Sequence, residues 1–99
     1  MTARLTDDMR ATELAALLDT GWQITPDRDA IRKVFTFKSF VDAFGFMTKA
    51  AIWAEKLNHH PEWFNCYKTV DVTLITHDLN GLGVLDIKLA RKLDALGKG

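Results

Sequence analysis

All three histidines of the chain fall between positions 59 and 77. His59 and His60 are adjacent in Glu55-Lys56-Leu57-Asn58-His59-His60-Pro61-Glu62-Trp63, and His77 stands in Thr76-His77-Asp78. Imidazole is the side chain whose ordinary pKa lies near neutrality, so a cluster of them can both release and accept protons. With Asp78 or Glu55 the same residues could form a tetrahedral zinc or facial iron site. Two neighbouring histidines ahead of a proline cannot easily aim at one ion, however, and the helical His-Glu-x-x-His spacing is absent, so no metal is expected. Any one of these histidines alone would read as structural, bonding backbone at a helix or strand end. Together, in a chain with none elsewhere, they favour general acid/base catalysis.

The elements that must position them follow from pattern. Thr6 can cap a first helix with Asp7 and Asp8 in its opening turn, Met9, Leu14, Leu17 and Leu18 on its apolar face, and Gly21 ending it. Trp22 to Thr25 alternates as a strand, Pro26 to Asp29 reads as a turn, and Ala30 to Phe37 is a second strand rich in β-branched and aromatic residues. Ser39 caps the longest periodic segment. Phe40, Phe44, Met47, Ala51, Ala54 and Leu57 recur there at spacings of three and four, a stripe expected to pack on a sheet. Phe46 and Trp53 lie off that stripe and are expected to meet a partner subunit. Pro61 biases His60 towards extended angles, which places the histidine pair at a helix-to-strand junction. Trp63 to Tyr67 and Val70 to Thr76 form two more strands, the latter with Val70, Val72 and Leu74 on one face. His77 falls at that strand's end. Leu82, Leu85, Leu89, Leu93 and Leu96 then follow helical spacing.

The expected architecture is α+β, a single domain over residues 1–99 in the order α-β-β-α-β-β-α, with a four-stranded antiparallel sheet carrying its helices on one face. The other face, with Asp71, Thr73 and Ile75, is mixed enough for solvent or a second subunit. Unpaired edge strands point the same way, so a homo-oligomer is expected.

The 99 residues are 47% hydrophobic and 10% aromatic, enough for one modest core that buries roughly 60 to 65% of the unfolded surface. Thirteen basic and thirteen acidic side chains cancel. No field therefore draws in a phosphate backbone, no Lys/Arg run marks a patch, and no direct nucleic-acid binding is expected. No apolar run approaches the ~18 residues of a membrane span, and the first residues lack the apolar region of a signal peptide, so no membrane association and a cytoplasmic location are expected. Cys66, the single cysteine, cannot form an internal disulfide and reads as a small strand residue. Gly81-Leu82-Gly83 lacks the third glycine and the βαβ context of a dinucleotide site.

The run Glu55 to Trp63, with Tyr67, Thr76-His77 and Asp86, resembles the pterin-4a-carbinolamine dehydratase family. The likeness extends upstream through Gly21-Trp22, Asp29-Ala30-Ile31, Phe35, Phe37 and Ala43 to Met47. It implies small, cofactor-independent subunits that form homodimers or homotetramers. It also implies a hydro-lyase reaction: removal of water from 4a-hydroxytetrahydropterin to give quinonoid dihydropterin, the recycling step that links such a protein to an aromatic amino-acid hydroxylase.

By the same resemblance His59 and His77 are the expected acid/base residues and His60 the main pterin-positioning residue. Glu55, Pro61, Thr76, Asp78 and Leu79 complete the expected substrate contacts, with Trp22 as an apolar wall. Glu55 reads equally as a solvated carboxylate, and Trp22 as core. Trp63 and Tyr67 read as sheet packing. Asp86, at N3 of a helix capped by Gly83, is expected to be structural; Gly83 replaces the Ser or Thr often found there at a cost of a few tenths of a kcal/mol. Some family members also act as partners that stabilise a transcription factor's dimer, which would use an exposed helix face and leave the histidines idle.

Overall fold

The computed structural model describes residues 3–98; Met1, Thr2 and Gly99, which the single-domain expectation included, lie outside the described residues. Helix α1 (residues 7–18) opens with the α-helical turn Asp7–Met9, widens into a π-helical segment Arg10–Leu14 and closes as α-helix over Ala15–Leu18. It starts where Thr6 Oγ1 accepts a bond from the Met9 amide at 3.1 Å. Strands β1 (Gln23–Ile24) and β2 (Ile31–Thr36), helix α2 (Phe40–Leu57), strands β3 (Glu62–Cys66) and β4 (Thr69–Leu74), and helix α3 (Val84–Gly97) follow, with a 3-10 turn at His77–Leu79. The expected order and antiparallel sheet are present. The strands run β1-β2-β4-β3 across the sheet, every pair antiparallel.

The register divides the sheet by chemistry. Ile31 and Phe35 of β2 and Val70, Val72 and Leu74 of β4 are buried beneath the helices. Arg32, Val34, Asp71 and Phe64 lie on the opposite, open side, where Arg32 grips Asp71 at 2.6 Å. Phe35 and Phe46 (ring centroids 4.8 Å apart), Phe37 and Phe46 (5.0 Å) and Trp22 and Phe35 (6.0 Å) form an aromatic spine through the core.

Helix α2 is rotated from the expected orientation by less than one residue's turn of about 100°, keeping Met47, Ala54 and Leu57 of the expected stripe on the core side. Its buried face is Ala43, Phe46, Ala50 and Ala54, backed by partly buried Met47, Trp53 and Leu57. Phe40, Phe44 and Ile52 are about half exposed, at 47%, 55% and 54%, and Val41 is 77% exposed. Two expectations are thereby corrected: Phe40, Phe44 and Ala51 do not face the sheet, and Phe46 and Trp53 belong to the core side. The reason is packing distance. Alanines at three buried positions let α2 settle closely on β4 and α3, whereas weighting residues by size selects the flank with the larger side chains. Trp53 is further covered by Lys92 and Lys56, whose ammonium groups stand 4.1 and 4.7 Å from its ring centroid.

Candidate active site

The end of α2 aims His59. Asn58 adopts the left-handed conformation (φ 50°, ψ 46°), and the His59 amide reaches back to the Ala54 carbonyl at 3.0 Å. This is a Schellman-type closure. It turns the chain off the helix within one residue, after which Pro61 leads into β3. His59 is thus carried at the helix-to-strand junction that the sequence indicates, with only 7% of its surface exposed.

His77 is held by a closed loop. Beyond β4, the amide of Thr76 bonds the Gly81 carbonyl at 2.9 Å, and the 3-10 turn His77–Leu79 fills the space between, ending at left-handed Asn80. Arg4 fastens the turn from outside, its guanidinium 2.8 Å from the Leu79 carbonyl. The β1–β2 turn braces it from another side: Asp29 accepts the Leu82 amide at 3.1 Å while Arg10 holds the same carboxylate at 2.7 Å. The hydrogen bond from Arg10 is the main reason that the Asp29 carboxyl titrates below its ordinary value. A side chain at position 81 would place its Cβ 2.6 Å from Asp29 Oδ2, so glycine is required by close approach.

The two segments meet in a cleft of about 270 Å³ lined by Asn58, His59, His60, Pro61, Ile75, Thr76, His77 and Asp78. It is slightly smaller than typical ligand pockets, which span ~300–1,000 Å³. Each imidazole sends Nε2 to its own carboxylate. His59 Nε2 is 2.5 Å from Asp86 Oδ1, His77 Nε2 is 2.7 Å from Glu62 Oε2, and His60 Nε2 is 2.9 Å from Glu55 Oε1. An ionised carboxylate only accepts, so Nε2 is the donor in each pair, and in a neutral ring Nδ1 then keeps its lone pair. Among the described residues no three His, Cys, Asp or Glu side chains are grouped to hold a metal ion.

The pairs differ in setting. Asp86 is wholly buried, and its Oδ2 also accepts Thr76 Oγ1 at 2.7 Å and the Gly83 amide at 2.8 Å. The expected cap at the start of α3 is therefore real, yet the same carboxylate reaches the cleft through His59. Glu62 is gripped by both nitrogens of Arg28, and hydrogen bonds from Arg28 and then His77 hold its carboxyl down at about 2. The His60–Glu55 pair is exposed on both sides.

Of the residues marked out by sequence, His59, His60, Pro61, Thr76, His77 and Asp78 come together in the cleft, and Glu55 adjoins it through His60. Leu79 is only partly buried and contributes its carbonyl to Arg4 rather than a side chain to the cleft. The structure does not bring Trp22 there. It is 1% exposed, stacked edge-on to Phe35, with Nε1 bonded to Asp94 at 3.0 Å; a ring so enclosed is core, and its expected role as a pocket wall is corrected. Glu62, Arg28 and the reach of Asp86 to His59 were missed. Glu62 follows Pro61 in the motif itself, but only the β3–β4 register and the β1–β2 turn bring it to His77 and Arg28.

The chain is similar to several known proteins. A Roseobacter denitrificans relative is 58% identical over 96 residues, 97% of this chain and 98% of that one. The Drosophila melanogaster pterin-4-alpha-carbinolamine dehydratase is 55% identical over 95% of this chain, which spans 49% of the fly protein. The crystal structure of a transcriptional coactivator/pterin dehydratase from Brucella melitensis superposes with a TM-score of 0.87 at 55% identity, covering 95% of this chain and 98% of the other. A pterin dehydratase-like RuBisCO assembly factor of the alpha-carboxysome shares the fold alone, with a TM-score of 0.67 at 24% identity over 78% of this chain and 89% of that one. The sequence model for pterin 4 alpha carbinolamine dehydratase matches residues 3–96, and the chain belongs to that family.

Proposed function

We propose that the chain, acting as one domain, is a dehydratase that removes water from 4a-hydroxytetrahydropterin and releases quinonoid dihydropterin, by acid/base catalysis from its own histidines. The observation that carries the reading is the convergence of His59, His60 and His77 on one small cleft, each with Nε2 committed to a carboxylate. The chemistry asks for this. The departing hydroxyl must gain a proton to leave as water, the ring-nitrogen lone pair closes the new C=N bond, and that nitrogen gives up its own proton. No electrons leave the substrate, so the step calls for no redox cofactor. Well-placed acid and base groups contribute typically ~10²- to 10⁴-fold each.

His77, in its imidazolium form, gives the Nδ1 hydrogen to the departing hydroxyl, His59 takes the ring-nitrogen proton on its bare Nδ1, and His60, with Pro61, Thr76 and Asp78, positions the flat pterin. The buried Asp86 suits His59 to accepting: it holds the hydrogen on Nε2 and keeps Nδ1 available. The work takes place in the cytoplasm, downstream of an aromatic amino-acid hydroxylase. Among the described residues no helix is long and apolar enough to cross a membrane.

The subunits associate as a homodimer or homotetramer. What supports this is the half-exposed flank of α2, where Phe44, Met47, Ala51, Ile52 and Trp63 line an apolar groove of about 650 Å³, together with the outer edge of β3, the last strand of the sheet.

The test is the rate of dehydration of freshly generated 4a-hydroxytetrahydropterin by wild type, His59→Ala and His77→Ala. Acceleration by wild type that falls by orders of magnitude in the folded variants is the expected result. No acceleration by folded wild type overturns the reading and leaves a protein-binding module, which would tolerate both substitutions.

A further inference from the structure

His77 occupies a three-residue turn, and its side chain is 65% exposed. Nothing in such a setting fixes an imidazole by packing. We propose that Glu62, clamped by Arg28, is a positioning residue for His77: it sets the ring's orientation and keeps the hydrogen on Nε2, so that Nδ1 is the atom presented for proton exchange. The inference rests on the dehydratase reading for its catalytic consequence and on geometry alone for the positioning.

The clamp is built from three distant parts of the chain. Arg28, in the β1–β2 turn, places Nη2 2.7 Å from Glu62 Oε1 and Nη1 3.2 Å from Oε2. A planar fork engaging both oxygens leaves the carboxylate little freedom to rotate, which a lysine's point charge could not achieve. Oε2 then accepts His77 Nε2 at 2.7 Å. Glu62 is itself the first residue of β3, fixed by its pairing opposite Thr73 of β4, the strand that leads to His77. Arg28 and Asp29 are neighbours in one turn, yet one reaches His77 through Glu62 and the other holds the Leu82 amide beyond the same loop. The β1–β2 turn is thus a buttress for the loop that carries His77.

Because the Glu62 carboxyl is held at about 2 by Arg28 and then His77, it is an acceptor throughout the neutral range and cannot supply a hydrogen to Nε2. An amide at this position could. With its oxygen kept by Arg28, Glu62→Gln turns its NH₂ towards His77 and favours a neutral ring with hydrogen fixed on Nδ1 and none on Nε2, which can no longer take up and hand on a proton at Nδ1.

The experiment joins ¹⁵N NMR of the His77 ring with steady-state kinetics on Glu62→Gln and Arg28→Lys. The expected result is a ring with hydrogen on Nε2 in wild type, a shift towards Nδ1–H in Glu62→Gln, and a fall in kcat of about 10- to 100-fold with KM little changed, in line with the ~10² cost of misplacing a reacting group by about 1 Å. Arg28→Lys, which keeps the charge without the fork, should fall about tenfold. A His77 ring whose tautomer is the same in wild type and folded Glu62→Gln overturns the proposal whatever the activity. A Glu62-dependent tautomer in a wild type that does not dehydrate the pterin upholds the positioning and overturns the dehydratase reading instead.

Discussion

Asp86 Oδ1 lies 2.5 Å from His59 Nε2, while Oδ2 of the same buried carboxylate closes the start of α3 and binds Thr76. One side chain therefore joins a helix cap to an imidazole of the cleft. Asp86→Asn separates the two duties. Its amide oxygen can replace Oδ2, which accepts two donors, but its NH₂ then faces His59 Nε2 and forces the hydrogen to Nδ1. The expected outcome is a folded protein whose kcat falls by about 10²- to 10⁴-fold, the range typical of a lost acid/base group, with His59 showing the opposite tautomer by ¹⁵N NMR. Asp86→Ala leaves the donors of His59, Thr76 and the Gly83 amide without their acceptor and should cost about 1–3 kcal/mol for each that stays buried and unpaired. An Asp86→Asn protein with wild-type kcat would leave Asp86 a cap only.

Glu62 predicts a particular acid dependence. Its carboxyl titrates at about 2 in the fold against an ordinary 4.5, with Arg28 the first cause. A carboxyl lowered by folding adds stability that is complete above about pH 4.5 and drains away as the pH falls towards 2. The Tm difference between wild type and Arg28→Ala should accordingly be widest from about pH 5 to 7 and close near pH 2. The pair is partly solvated, so added salt should narrow it too. A difference equally large at pH 2 and pH 7 would mean that Arg28 contributes packing rather than charge.

The strands, caps and histidine junction were legible because they are local. Thr6, Ser39 and Gly83 stand at helix starts, and Pro61 separates helix from strand, for reasons that act within a few residues. The rotation of α2 was not legible, since a helix apolar on two flanks gives periodicity no single answer, and the choice fell to alanines that a size-weighted reading discounts. At the site, the histidines were marked by type and spacing. Their carboxylate partners were not: Asp86 is 27 residues from His59, and Glu62 is 15 from His77 and 34 from Arg28. Pairings of that separation are decided by strand register and loop closure.

Gly81 offers a test of how tightly the His77 loop is braced. A Cβ there would lie 2.6 Å from Asp29 Oδ2 and 3.3 Å from Arg4 Nη1. Asp29 has no room to yield while Arg10 and the Leu82 amide hold it. Gly81→Ala should destabilise by about 1–3 kcal/mol, the usual cost of overpacking, and should lower activity because the loop that carries His77 closes through Gly81. In an Asp29→Ala background the penalty should largely vanish, a coupling that a double-mutant cycle in urea would read directly. Equal penalties in both backgrounds would place the strain elsewhere.

Phe46 and Phe44 separate the two faces of α2. Phe46 is 4% exposed and stacked between Phe35 and Phe37, whereas Phe44 is 55% exposed beside the apolar groove. Phe46→Ala should cost about 3–5 kcal/mol, as large-to-small changes in a core do, at every protein concentration. Phe44→Ser removes no core contact, so its effect should appear only where subunits meet: sedimentation velocity should show a smaller species than wild type, and Tm should lose its dependence on protein concentration. If Phe44→Ser sediments as wild type does, the exposed flank of α2 is not the self-association surface, and the weight moves to the open edge of β3.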